Sequence, residues 1–180
     1  MKTILGIVGM PGAGKSLAIS IGKQYAPVVV MGDIVREETL RQKLNINSHN
    51  LGKIAQNLRE LNGPDIIAQR CIQKIHNSLV STVIVDGIRS LHEISVFQRH
   101  FTVIIIAIVV PDEIRIQRLL DRKRADDSTD MADILARDSR EIQFGLNQVI
   151  ESAQYIIDNS GSPKELEEQS QRLFSQLIKK

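Results

Sequence analysis

Gly9-Met-Pro-Gly-Ala-Gly-Lys-Ser16 places a glycine, four further positions and then Gly-Lys-Ser in one run. The chemistry that spacing suits is polyphosphate binding. A backbone wrapped around phosphates must turn its N–H groups inward, through conformations that glycine adopts at least cost. Lys15 adds a positive charge for the β- and γ-phosphates, and the Ser16 hydroxyl suits a magnesium ligand position. The donor-binding residues expected on this basis are Gly9, Pro11, Gly12, Ala13, Gly14, Lys15, Ser16 and Leu17. The plainer alternative is a glycine-rich turn with a surface lysine, and its context argues against it. Thr3 to Val8 ahead is a β-branched apolar run of the kind that forms a buried strand, and Leu17, Ile21 and Tyr25 behind have helical spacing.

A second chemical group stands at Asp86-Gly87, where the apolar run Thr82 to Val85 ends. A carboxylate at the end of a buried strand, following a phosphate loop, suits a magnesium site opposite Ser16. A helix cap or turn is the alternative role for such an Asp. Farther on, Arg118 to Asp127 is dense in both charge signs, and Arg137 and Arg140 follow on the next helix. A solvated helix is the common meaning of such a run. Beside a phosphate site, it also offers the positive charge that phosphoryl transfer requires.

The elements that must position these groups alternate. Strands are expected at Thr3 to Val8, Val28 to Met31, Thr82 to Val85, Thr102 to Val109 and Tyr155 to Asp158. Between the second and third, three helical patterns follow one another, with Asn62-Gly63-Pro64 breaking the last two. One crossover helix would suffice there, so an insertion of about residues 32–77 is expected to stand off the sheet. The spacing predicts an α/β fold: a five-stranded parallel sheet with helices on both faces, in one domain over residues 1–180. In such folds ligands sit at the carboxyl ends of the strands. Gly9, Gly32-Asp33, Asp86 to Arg89 and the Arg118 region all fall there.

Composition narrows the partners. A net charge of +2 and 3% aromatic residues indicate neither a nucleic-acid surface nor stacking platforms for bases. The longest apolar run, Val103 to Val110, is too short to span a bilayer, and the single cysteine, Cys71, reads as a buried hydrophobe. A cytoplasmic protein with a small-molecule partner is expected. Oligomeric state is open. Neither an Asn-Lys-x-Asp nor an Asp-x-x-Gly motif follows the loop, which argues against a GTPase.

Taken together, these residues resemble the adenylate kinase group of nucleoside monophosphate kinases, most closely an archaeal family of adenylate-kinase-related nucleotide kinases. The resemblance covers the whole chain. Gly32-Asp33-Ile-Val-Arg36 is similar to the family's Gly-Asp-x-x-x-Arg, and Asp86-Gly87-Ile88-Arg89 to its Asp-Gly-Phe-Pro-Arg, one residue shorter. It implies a P-loop NTPase fold that uses ATP and Mg2+ and transfers the γ-phosphoryl group to a nucleoside monophosphate, AMP first among them. It also implies that Asp33, Arg36 and Arg89 hold the acceptor. A short lid of about residues 122–137 would bring Arg122, Arg124 and Arg137 over the transferred group, with Lys15 and Arg89 completing the catalytic set. The glutamine with which the family reads adenine falls on Glu93, which leaves the acceptor open. The segment Tyr155 to Ser162 also resembles dephospho-coenzyme A kinases, for which Asp33 would serve as base. An ATP-dependent assembly factor is the non-kinase alternative.

Overall fold

Short Ile- and Val-rich runs become strands here, the three inner ones buried on both faces, and the amphipathic stretches between them become the covering helices. The computed structural model describes residues 1–121 and 130–178. In chain order, the elements are β1 (Thr3–Val8), α1 (Lys15–Gly22), β2 (Val28–Val30), α2 (Gly32–Arg41), α3 (Ser48–Asn62), α4 (Ile66–His76) and β3 (Thr82–Asp86). They continue with α5 (Leu91–Gln98), β4 (Thr102–Val109), α6 (Asp112–Asp121), α7 (Met131–Phe144), α8 (Leu146–Glu151), β5 (Tyr155–Asp158) and α9 (Pro163–Leu177).

The sheet runs β2-β3-β1-β4-β5, and every neighbouring pair is parallel. This is the α/β architecture expected of a P-loop NTPase. β1 lies at the centre, with Leu5 opposite Ile84 on one side and Ile104 on the other. The phosphate loop therefore leaves the most enclosed strand of the sheet.

Each face of the sheet has its own core. On one, Leu5, Ile7, Ile84 and Ile106 pack with Ala18 and Ile21 of α1 and with Leu166 and Phe174 of α9. On the other, Ile4, Val83, Val85 and Ile105 pack with Ile67, Cys71 and Ile75 of α4 and with Phe97 of α5. α4 is thus the crossover helix, seated on the sheet. α2 and α3 build outward from that same core through Ile34, Val35, Ile54 and Leu58. Cys71 is fully buried, and burial pushes its thiol up to about 12.

α8 is a helix that the sequence pattern did not separate from its surroundings. Gly145 adopts φ +108, a left-handed conformation that closes α7 and opens α8. No helix among the described residues is long and apolar enough to cross a membrane.

Candidate active site

Between β1 and α1 the loop takes a shape that only glycine can supply at two points. Gly12 has φ +82 and Gly14 φ +103. A Cβ on Gly12 would stand 2.5 Å from the carbonyl oxygen of Arg115, and one on Gly14 would stand 2.2 Å from the side-chain nitrogen of Asn159. α1 begins without a side-chain cap, which leaves its first N–H groups for an anion. Two outside elements fix the loop. From the end of β5, Asn159 donates from Nδ2 to the Ala13 carbonyl at 2.8 Å. From α6, the buried Arg115 lies against the loop and pairs with Asp138 of α7 at 2.6 Å.

Lys15 curls under this loop and donates to the carbonyls of Gly9 at 2.7 Å and Met10 at 3.1 Å. Its burial lowers the ammonium pKa to about 8, even though Asp86 and Glu141 nearby favour the charge. A desolvated cation inside a cradle of N–H groups is a site built for negative charge.

A cleft of about 380 Å³ opens above the loop, at the carboxyl ends of β1, β2 and β3. Gly9, Pro11, Gly12, Gly14, Lys15, Ser16 and Leu17 form its floor, and Asp86 faces it from the end of β3. Ala13 is buried, and its role in the wall is through the carbonyl that Asn159 holds. Arg36, Arg89, Arg118 and Arg137 complete the cleft from four separate elements or loops. A smaller cavity of about 110 Å³ adjoins it between α2, α3 and α7, sharing Gly32, Arg36, Arg89, Arg137 and Glu141 as a common wall.

Not every expected residue faces the cleft. Asp33 lines neither cavity; it pairs with Arg36 at 2.8 Å and steadies that guanidinium. Glu93, at the position where the resemblance puts a base-reading glutamine, is fully buried. Its Oε1 accepts from Arg59 at 2.8 Å, and its Oε2 accepts from the backbone N–H of Arg89 at 2.7 Å. Arg122 and Arg124 lie outside the described residues, as does half of the expected lid.

Glu141 is the residue that sequence reasoning missed. It sits in the wall between the two cavities and forms an ion pair with Arg89. Burial alone would raise its carboxyl pKa, but the Arg89 charge outweighs this and holds it below the ordinary range. The same partner raises the Arg89 pKa. Arg137, Arg140, Glu141 and Phe144 recur at i, i+3, i+4 and i+7 on α7, so a single helical face delivers them all. That spacing was legible in the chain. It was hidden because helical periodicity is ordinarily sought in apolar residues.

A family model described as an AAA domain matches residues 8–135. A UPF0200 protein from Methanococcus maripaludis is 38% identical over 97% of each chain. One from Hyperthermus butylicus is 40% identical over 98% of this chain and 95% of that one. A UPF0200/UPF0201 protein from Archaeoglobus fulgidus is 40% identical over 98% of this chain, which spans 56% of that protein's length. Among solved structures, TT1252 from Thermus thermophilus superimposes with a TM-score of 0.64 over 98% of both chains at 19% identity. An unliganded sugar kinase from Janibacter superimposes with a TM-score of 0.53 over 99% of this chain and 96% of its own, at 13% identity. At those identities the likeness is one of fold.

Proposed function

Because this chain belongs to the UPF0200 family and carries a P-loop, kinase-like AAA domain, we propose that it is an ATP-dependent kinase of a small phosphorylated acceptor, a nucleoside monophosphate. The observation that carries this reading is the pair of adjoining cavities. One rests on the phosphate loop, the other lies between α2, α3 and α7, and Arg36, Arg89 and Arg137 stand in the wall they share. Two anionic molecules held face to face need positive charge between them, and a hydrolase would have no use for the second cavity.

In this reading, the loop N–H groups and Lys15 hold the donor polyphosphate. Arg36 and Arg89 orient the acceptor phosphate, and Arg137 offsets charge that builds on the transferred group. An acceptor phosphate oxygen is ionised near neutral pH, so no base has to remove a proton before it attacks. Ser16 and Asp86 both face the cleft and would hold magnesium. One hydroxyl and one carboxylate suit a hard ion that keeps most of its positions for water and phosphate oxygens. When bound there, magnesium would offset negative charge on the donor phosphates.

Glu141 supports a second reading, transfer to a hydroxyl. It is a carboxylate inside the cleft, whereas Asp33 lines neither cavity, and to accept a proton Glu141 would have to leave Arg89. One experiment separates the possibilities. Purified protein is supplied with ATP, magnesium and a panel of nucleoside monophosphates and phosphorylated alcohols, and products are resolved by chromatography. A nucleoside diphosphate formed at the expense of ATP upholds the proposal. ATP hydrolysis with no phosphorylated product refutes it, and transfer only to a hydroxyl replaces it with the second reading.

A further inference from the structure

The cavity between α2, α3 and α7 has an apolar side made by Val35, Leu51, Ala55 and Phe144. Into it reaches Arg140, half-buried, which makes no hydrogen bond or ion pair among the described residues. The helix opposite is shaped to receive it. Gly52 of α3 has no side chain where a Cβ would stand 2.9 Å from the Arg140 Nε and 3.1 Å from its Cζ. A partly desolvated guanidinium beside an apolar slot carries an unmet demand for hydrogen-bond acceptors, since arginine donates only.

The carboxylates nearby are each already paired with a cation. Both oxygens of Glu93 are used by Arg59 and the Arg89 backbone, and the Glu141 carboxylate is held by the Arg89 guanidinium. At Arg140 an amino group would meet a cation with no lone pair, whereas a carbonyl oxygen would meet a fork of N–H donors.

We infer that Arg140 reads the base of the acceptor, and that this base presents oxo groups, as uracil, guanine and hypoxanthine do, rather than the amino edge of adenine. The inference rests on the monophosphate kinase reading above and names the substrate class of its second cavity. It reverses the order of preference that resemblance alone implies, in which AMP comes first.

The test compares UMP, GMP, IMP and AMP as acceptors at saturating ATP. In parallel, equilibrium dialysis measures retention of the same four nucleotides without ATP. At least one of the oxo nucleotides should lead AMP by about tenfold or more in kcat/KM and in retention, the scale of one hydrogen bond to a charged group. Arg140→Leu should bring the four within about threefold of one another. Gly52→Ala should do the same by displacing the guanidinium while leaving its charge, and alanine favours a helix more than glycine does, so folding is retained. A wild-type preference for AMP, or an oxo preference that survives both variants, overturns the inference. Should no monophosphate be phosphorylated, the kinase reading falls and dialysis alone decides. Retention of UMP, GMP or IMP over AMP that depends on Arg140 then upholds the base assignment, and equal or absent retention overturns it.

Discussion

Proton uptake on nucleotide binding should be measurable, because Lys15 is held at a pKa of about 8 instead of 10.5 by burial. The sign follows from the depressed value. In the free protein the ammonium begins to lose its proton as pH rises through 8, and a polyphosphate against it favours the charged form again. If the bound value returns to the ordinary lysine range, binding takes up about 0.1 proton at pH 7, about 0.5 at pH 8 and about 0.9 at pH 9. The terminal phosphate of the nucleotide titrates near pH ~6 and contributes little over that range. Affinity for ATP should accordingly weaken about tenfold between pH 7 and 9. Calorimetry in two buffers of different ionisation enthalpy at each pH reads the uptake directly. In Lys15→Arg, whose guanidinium stays charged, the uptake should vanish. Uptake that is absent in the wild type at pH 8, or unchanged in Lys15→Arg, would refute the assignment of Lys15 to the donor phosphates.

The same burial makes Lys15 a stability liability. The charged form is penalised at every pH below 8, and the penalty fades as pH rises toward 10.5, so Lys15→Met should raise stability near pH 7 by up to about 3 kcal/mol, less whatever solvent screens at a half-buried site. Phosphate transfer should fall about a hundredfold or more in that variant; denaturant titration and a coupled assay check the two arms. Glu141→Gln removes the partner that fixes Arg89 in the shared wall, and kcat should drop by roughly tenfold or more with little change in the KM for ATP; a raised KM for ATP instead would assign Glu141 to the donor side. Arg59→Met leaves the Glu93 carboxylate buried without its cation and should cost about 3 kcal/mol in a denaturant titration. Asn159→Ala leaves the Ala13 carbonyl without its donor, and the KM for ATP should rise several-fold, about 1 kcal/mol in binding, while the acceptor KM stays put.

The phosphate-loop side of the cleft was legible from the chain because its residues are local. The loop glycines, Lys15 and Ser16 fall within eight positions, and a β-branched run such as Thr82 to Val85, closed by Asp86-Gly87, fits an inner strand. The wall shared with the second cavity was legible only in part. Arg36 and Arg89 follow strand ends and could be placed by position. Arg140 and Glu141 lie in a charged stretch that looks solvated until α3 and the Arg89 segment are folded against it. Glu93 shows the complementary difficulty. Nothing in its neighbourhood along the chain announces that Arg59, 34 positions earlier, will claim its carboxylate. Pairings of that kind are set by which helices touch, and helix contacts follow from the apolar residues around the charges.

The phosphate loop lies far along the chain from the groups that hold its shape, Arg115 and Asn159. A chain cut between them carries the loop's sequence without the contacts that set its conformation. The Asn159 amide reaches the Ala13 carbonyl only when β5 adds itself to the edge of the sheet. Chains truncated before that strand should thus hold a polyphosphate more weakly than the chain with β5 in place.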